Sequence, residues 1–180
     1  MIKKLLFLFW TSSFLSACDT KNEIPDIQIL NSNWSFKSFN ALDWKSASVP
    51  GNIFTDLLDH KLIEDPFILN NEEKVQWVSD SSWVYQSSFS VDEKQLQKKH
   101  HQLIFEGLDT YANVYLNDRL ILKANNVFRT YPIDVQSLLK LENQLRIEFE
   151  STRIQEEKEK AKLDYELPEG NRIFTRKAQF

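Results

Sequence analysis

Acidic side chains are the most abundant groups in this 180-residue chain that could carry out chemistry, since Asp and Glu number 26 against 22 Lys and Arg. Cleavage of a glycosidic bond requires two carboxyl groups about 5 to 9.5 Å apart, one protonated and one ionised. Six carboxyl groups lie in turn-like segments: Asp56, Asp65, Glu72, Glu73, Glu106 and Asp109. Their contexts single out no pair, because Asp65 before Pro66 and Asp109 after Gly107 suit turn capping. The sequence therefore predicts no catalytic residue among them.

Aromatic side chains are the second chemical resource of the chain. A flat ring can stack on the apolar face of a sugar while a few polar groups orient the hydroxyls. Trp77 follows an acidic stretch and is the best candidate for an exposed ring, with Asn70 and Asn71 as polar neighbours. Trp34 and Trp83 lie in strand-like segments, and we expect both in the core.

Composition excludes several other kinds of site. The three histidines, His60, His100 and His101, lack the spacing of metal ligands, and no Gly-x-Ser-x-Gly turn is present for a nucleophilic serine. Three glycines and one cysteine leave no phosphate-binding loop, disulfide framework or thiolate cluster. The formal charge of −4 makes nucleic acid a poor partner. We therefore expect no metal and no cofactor.

The first 17 residues have the pattern of a removable leader. Lys3 and Lys4 precede an apolar run over residues 5–15 that is too short to span a bilayer. Leu15-Ser16-Ala17-Cys18 follows and looks like a bacterial lipobox, in which the leader is cut before a cysteine that is then acylated. This predicts Cys18 as a lipid anchor and an extracytoplasmic location on a bacterial membrane, periplasmic or at the cell surface. An ordinary secretory signal is the alternative interpretation.

The rest of the chain divides into a short polar tether, residues 18–26, and one domain, residues 27–180. Removal of the leader would leave 20 basic and 26 acidic residues, a charge of −6. The length fits one ordinary domain. We expect that domain, and not the tether, to contain the core.

The period of apolar residues in the domain is mostly two, which is typical of strands with one buried face. Residues 143–150 are the clearest case, because Leu145, Ile147 and Phe149 alternate with charged residues. Asn117-Asp118 suits a hairpin turn, since both residue types tolerate positive φ. Helical signal is confined to residues 55–60, with Thr55 as the cap, and to residues 152–163. The second segment is rich in Glu and Lys, and a solvated helix and a mobile loop are both open for it. The pattern predicts an all-β jelly-roll sandwich with short helical decorations.

A series of short motifs in a fixed order resembles one family. It consists of Val49-Pro50-Gly51-Asn52, Asp56-Leu57-Leu58, Asp65-Pro66-Phe67, Asn71-Glu72, Trp77-Val78, Trp83-Val84-Tyr85, Phe105-Glu106-Gly107-Leu108-Asp109-Thr110, Val114-Tyr115-Leu116-Asn117, Asn126-Val127-Phe128-Arg129 and Arg176-Lys177-Ala178-Gln179-Phe180. This series is similar to the N-terminal domain of β-mannosidases of glycoside hydrolase family 2. The resemblance spans nearly all of the chain after the leader.

The resemblance implies a galactose-binding-like jelly roll that supports a separate TIM-barrel catalytic domain. It also implies release of terminal non-reducing β-D-mannose from mannose-containing oligosaccharides by the full enzyme. The catalytic glutamates of the family belong to that barrel, so no residue of this chain inherits a catalytic role. We predict that five residues support the contact with the barrel or the rim of the barrel's pocket: Asp65, Asn71, Glu72, Trp77 and Arg129.

The family motif that begins at Arg176 continues beyond Phe180 in the resembled enzymes, so we predict a C-terminally incomplete domain that is inactive alone. An unpaired sheet edge in such a domain predicts low solubility or marginal stability. Two alternatives remain open at this point. One is a stand-alone carbohydrate-binding lipoprotein that uses Trp77 without catalysis, and the other is a purely structural interaction domain.

Overall fold

The structure, a computed structural model, describes residues 25–165. The backbone of these described residues forms eight strands. They are β1 (Ser35–Ser38), β2 (Lys45–Ser46), β3 (Trp83–Ser90), β4 (Gln102–Phe105), β5 (Ala112–Leu116), β6 (Arg119–Ala124), β7 (Tyr131–Asp134) and β8 (Glu142–Phe149).

The strands form two antiparallel sheets. The larger sheet has six strands in the order β2-β1-β3-β8-β5-β6, and the smaller sheet pairs β4 with β7. β3 and β8 run side by side over eight residue pairs, from Trp83 opposite Phe149 to Ser90 opposite Glu142. Leu103, Phe105 and Tyr131 of the small sheet pack against the same core as the large sheet. The predicted all-β sandwich is confirmed.

The core fills the space between the sheets because each strand turns alternate residues inward. Leu145 and Ile147 of β8 are buried, and Arg146 between them lies on the opposite face. Trp34 and Trp83 are both buried, as predicted. Phe36 of β1 is 1% exposed and lies at the centre of an aromatic cluster.

The β5–β6 hairpin turns through Asn117 and Asp118, which have φ values of 50° and 64°. Two successive residues with positive φ are the requirement of the two-residue turn that matches the twist of paired strands. The Asn117 side chain also donates to the Leu138 carbonyl and the Asn143 Oδ1 atom, at 2.9 and 3.0 Å. This confirms the predicted hairpin.

In the described part of the chain, five helices decorate the sandwich: α1 (Ile53–Asp59), α2 (Asn71–Lys74), α3 (Trp77–Asp80), α4 (Glu93–Leu96) and α5 (Thr152–Lys160). α1 corresponds to the first segment with a helical signal, and α5 shows that the helix and not the loop alternative holds for the second. The predicted cap of α1 was wrong, because Asn52 and not Thr55 occupies the N-cap. The Asn52 side chain accepts from the Phe54 and Thr55 amides, and Thr55 completes the capping box as the third helical residue.

Several sequence predictions fall outside the described residues. They are the leader (residues 1–17), the anchor Cys18 and the motif at 176–180. Within residues 25–165, no helix combines the length and apolar character needed to cross a bilayer.

Candidate functional site

Four of the five residues predicted for a pocket rim or domain contact lie on one segment between α1 and β3. Asp65 starts a turn, Asn71 and Glu72 open α2, and Trp77 opens α3. Arg129 lies in the separate loop between β6 and β7, and its amide donates to the Asn126 carbonyl at 3.4 Å. Among residues 25–165, no hydrogen bond or ion pair joins the Arg129 side chain to the other four.

Two hydrogen bonds that Asp65 accepts hold the turn between Asp65 and Asn71 in one conformation. The Phe67 amide donates to Asp65 Oδ1 at 2.9 Å, and the Asn71 side-chain amide donates to the Asp65 carbonyl at 3.0 Å. Asn71 is buried, and its Oδ1 atom also accepts from Lys74 Nζ at 3.1 Å. The side chain of Asn71 is therefore committed to the turn.

The turn displays three apolar side chains to solvent. We call Phe67, Ile68 and Leu69 the apolar loop; Phe67 is 96% exposed and Leu69 is 92% exposed. Leu69 has a φ of 53°, a conformation that a bulky residue rarely adopts. From the sequence, Phe67 was predicted only as part of a turn. The apolar triplet between Asp65-Pro66 and Asn70 was the signal that could have indicated an exposed apolar surface. Exposed contiguous apolar side chains on a fixed backbone are typical of a contact surface.

Trp77 is partly open to solvent, as the sequence predicted. It is 44% exposed, and its ring centroid lies 6.0 Å from that of buried Trp83. The Trp83 indole donates to the Val78 carbonyl at 2.9 Å, which ties α3 to β3. The position of Trp77 is therefore fixed by the core, while one part of its ring remains available.

The other carboxyl groups in turn-like segments have different surroundings. Asp56 is 2% exposed; its Oδ1 accepts from the Ser48 amide at 2.9 Å and its Oδ2 from the Tyr85 hydroxyl at 2.8 Å. Glu72 and Glu73 are exposed in the first turn of α2, and Glu106 and Asp109 are exposed in the loop after β4. Asp56 is thus a structural residue that joins the segment before α1 to β3.

A cleft elsewhere on the large sheet also contains carboxylates. Phe39, Asn113, Glu148, Glu150 and Ile154 are among the residues that line it. Glu148 pairs with Arg146, while Glu150 accepts from Asn113 at 2.9 Å and lies 3.5 Å from Lys158. Glu150, which directly follows β8, thus joins β5 to α5. The cleft includes none of the five predicted residues. Among residues 25–165, no group of three or more His, Cys, Asp or Glu residues could hold a metal ion.

The buried Tyr85 hydroxyl gives a testable pH dependence. Burial, together with the hydrogen bond to Asp56, raises the pKa of Tyr85 well above its usual 10.0. The unfolded chain releases this proton near pH 10 and the folded chain does not, so the stabilisation is complete below pH 10 and declines above it. We expect the free energy of unfolding to fall by about 1.4 kcal/mol per pH unit from this group.

Absorbance at 295 nm during alkaline titration would measure the effect. The wild-type chain should release one phenol proton only as it unfolds, and Tyr85→Phe should lack that phase. Tyr115→Phe is the matched control, because Tyr115 lies outside the core. The Arg146 Cζ atom lies 4.2 Å from the centroid of the Tyr115 ring. An unfolding transition in Tyr85→Phe with the wild-type proton release would contradict the assignment.

The chain is similar in sequence to one family of known proteins. The family model described as "Glycosyl hydrolase 2 galactose-binding domain-like" matches residues 34–180. A beta-mannosidase B from Thermothelomyces thermophilus is 40% identical over 126 residues, which is 68% of this chain and 15% of the relative. A beta-mannosidase from Rattus norvegicus is 31% identical over 140 residues, which is 77% of this chain and 16% of the relative.

The fold is also similar to that of a solved beta-mannosidase structure. The crystal structure of a beta-D-mannosidase from Dictyoglomus thermophilum superimposes with a TM-score of 0.77 at 35% identity, over 79% of this chain and 18% of that chain. The present chain thus spans about a sixth of the length of the proteins it matches.

Proposed function

Because the chain belongs to the galactose-binding-like domain family of glycosyl hydrolase 2, we propose that it is the N-terminal domain of a β-mannosidase. The whole enzyme would hydrolyse terminal non-reducing β-D-mannose residues of mannose-containing oligosaccharides. The observation that carries this proposal is the similarity to beta-mannosidases at 40% and 31% identity, joined by the structural match at a TM-score of 0.77. The role of this domain is to support a catalytic TIM barrel.

The contact with the barrel would use the apolar loop and its neighbours. Phe67 and Leu69 are almost fully exposed, yet the hydrogen bonds of Asp65 and Asn71 fix their backbone. A fixed apolar surface loses little conformational entropy on docking, so burial of its side chains contributes most of its transfer free energy. Trp77, Glu72 and Arg129 would add contacts at the rim. The catalytic acid and nucleophile of the reaction would belong to the barrel.

A chimera tests this function directly. Residues 25–180 would replace the matching segment of the Dictyoglomus thermophilum beta-D-mannosidase, and hydrolysis of an aryl β-D-mannoside would be measured against the β-glucoside and the α-mannoside. We expect a folded chimera that is selective for the β-mannoside. A chimera that melts cooperatively but leaves the β-mannoside uncleaved would contradict the proposal.

The apolar loop provides a sharper prediction within the same chimera. Phe67→Asp with Leu69→Asp should reduce β-mannosidase activity at least tenfold, because charged groups would be desolvated at the domain contact. Leu42→Asp is the matched control, since Leu42 is 90% exposed in the loop between β1 and β2. Equal activity in both variants would remove the apolar loop from the proposed contact.

We also propose that Cys18 carries a lipid anchor and that the enzyme acts outside the cytoplasm. The support is the sequence Leu15-Ser16-Ala17-Cys18 after a basic and apolar leader. The wild-type protein should incorporate radiolabelled palmitate and should sediment with membranes. Cys18→Ala should abolish both the labelling and the sedimentation. Membrane retention of Cys18→Ala at the wild-type level would contradict the anchor.

A further inference from the structure

One histidine fastens the crossover between the two sheets. Residues 91–101 lead from the end of β3 in the large sheet, through α4, to the start of β4 in the small sheet. At the end of this crossover, the Nε2 atom of His101 lies 2.6 Å from the Gln95 carbonyl oxygen, and its Nδ1 atom lies 2.6 Å from Gln136 Oε1. Gln95 belongs to α4, and Gln136 follows β7 by two residues. The imidazole ring thus joins α4 to the end of β7.

Both oxygen atoms that face the His101 ring are acceptors in fixed positions. The Gln95 oxygen is a backbone carbonyl. The Gln136 side-chain amide donates from Nε2 to the Lys98 carbonyl at 3.1 Å, and this bond directs its Oε1 atom toward the ring. A reversed amide would place two oxygens face to face at Lys98 and lose that bond. We call the His101 ring, the Gln136 amide and the Gln95 and Lys98 carbonyls the histidine clamp.

A neutral imidazole ring does not satisfy the histidine clamp. It has one N–H donor, and its other nitrogen would direct a lone pair at an oxygen atom 2.6 Å away. An imidazolium ring carries an N–H group on both nitrogens, and a charged donor forms a shorter and stronger hydrogen bond. The hydrogen bonds of the clamp are therefore complete only when the His101 ring holds two protons.

The charged groups around the histidine clamp have both signs and are exposed. They are Asp92, Glu93 and Lys94 at α4, Lys98, Lys99 and the titratable His100 in the crossover, Asp134 on β7, and Asp26 in the segment before β1. Lys98 pairs with Asp26 at 3.1 Å, and Asp134 Oδ1 accepts from the Gln136 amide at 2.9 Å. Among residues 25–165, none of these side chains forms a hydrogen bond or an ion pair with the His101 ring. The direct contacts of the ring are therefore those to Gln95 and Gln136.

We propose that the histidine clamp is a pH-sensitive fastening of the crossover. Uptake of a proton by the His101 ring in weakly acidic solution closes both contacts, and release of that proton near neutral pH opens one of them. Imidazole is the side chain whose charge changes between about pH 5 and pH 8. The unfolded chain holds no acceptors against the ring, so closing of the clamp makes the free energy of unfolding rise as the pH falls through this range. The proposal is independent of the proposed β-mannosidase function.

Urea unfolding of the full chain at about pH 5.5 and about pH 7.5 tests the clamp. In His101→Gln the side chain cannot take up a proton. We expect the unfolding equilibrium constant of the wild type to fall about fivefold more than that of His101→Gln when the pH is lowered between these values. His100→Gln is the matched control, because it removes the neighbouring exposed histidine and should keep the pH dependence of the wild type.

Substitutions of exposed Gln136 provide a second readout that leaves His101 in place. Gln136→Leu removes the acceptor at Nδ1 and should reduce the pH dependence to that of His101→Gln. Gln136→Glu keeps an acceptor and adds a negative charge, so its pH dependence should equal or exceed that of the wild type. Equal pH dependence in the wild type and His101→Gln would overturn the proposal. So would full retention of the wild-type pH dependence in Gln136→Leu.

Discussion

Phe36→Ala should lower the free energy of unfolding by about 4 kcal/mol, because it opens a cavity at the centre of the core. Phe36 is among the largest fully buried side chains, and its ring lies 5.8 Å from Tyr85, 6.2 Å from Trp83 and 5.8 Å from His60 between centroids. The variant loses these ring contacts together with the transfer free energy of the benzyl group. A loss of this size is a large part of the total stability of an ordinary domain.

Urea unfolding followed by tryptophan fluorescence would measure this change. Phe67→Ala is the matched control, since it removes the same side chain from an exposed position and should change stability by less than about 0.5 kcal/mol. Phe36→Leu should lie between the two. If Phe36→Ala and Phe67→Ala proved equally stable, the aromatic cluster would not be the centre of the core.

Asp56→Ala should lower the free energy of unfolding by about 3 to 5 kcal/mol. The substitution removes the acceptor of two hydrogen bonds and leaves the Ser48 amide and the Tyr85 hydroxyl without a partner in the interior. Hydrogen bonds to a carboxylate contribute about 1.5 to 3 kcal/mol each, and an unpaired buried donor adds a desolvation cost. This carboxylate is therefore a major source of stability.

Two further variants separate the contributions at this site. Asp56→Asn keeps one oxygen acceptor and should cost about half as much as Asp56→Ala. In the double variant with Tyr85→Phe, Asp56→Ala should cost less than it does alone, because the orphaned hydroxyl is removed with its partner. Strictly additive losses in this double-mutant cycle would contradict a direct Asp56–Tyr85 interaction.

The sequence predicted those parts of the fold that leave a periodic pattern. Alternation along residues 143–150 predicted β8 and its buried face, and Asn117-Asp118 predicted the hairpin between β5 and β6. The helices α2, α3 and α4 were not predicted, because four residues are too few for a helical period. The cap of α1 was assigned to Thr55, since both Asn52 and Thr55 are good capping residues and only the backbone geometry distinguishes them.

The candidate site was predictable only in part, for a related reason. Asp65, Asn71 and Trp77 were identified from residue type and from the family resemblance, and the structure places them on one segment. The exposure of Phe67 and Leu69 depends on where a turn projects from the sandwich, which no local pattern specifies. The Asp56–Tyr85 hydrogen bond joins residues 29 positions apart and follows from the packing of α1 on β3. Long-range contacts of this kind require the assembled fold.

The pairing of β3 with β8 also determines when this domain can fold during synthesis. The central ladder joins residues that are 52 positions apart at Ser90 and Glu142 and 66 apart at Trp83 and Phe149. β3, with Trp83 and Tyr85, therefore leaves the ribosome long before its partner strand exists. Contacts between distant residues make folding slow. We expect the nascent chain to resist stable folding, and to depend on chaperones that shield apolar segments, until translation has passed Phe149.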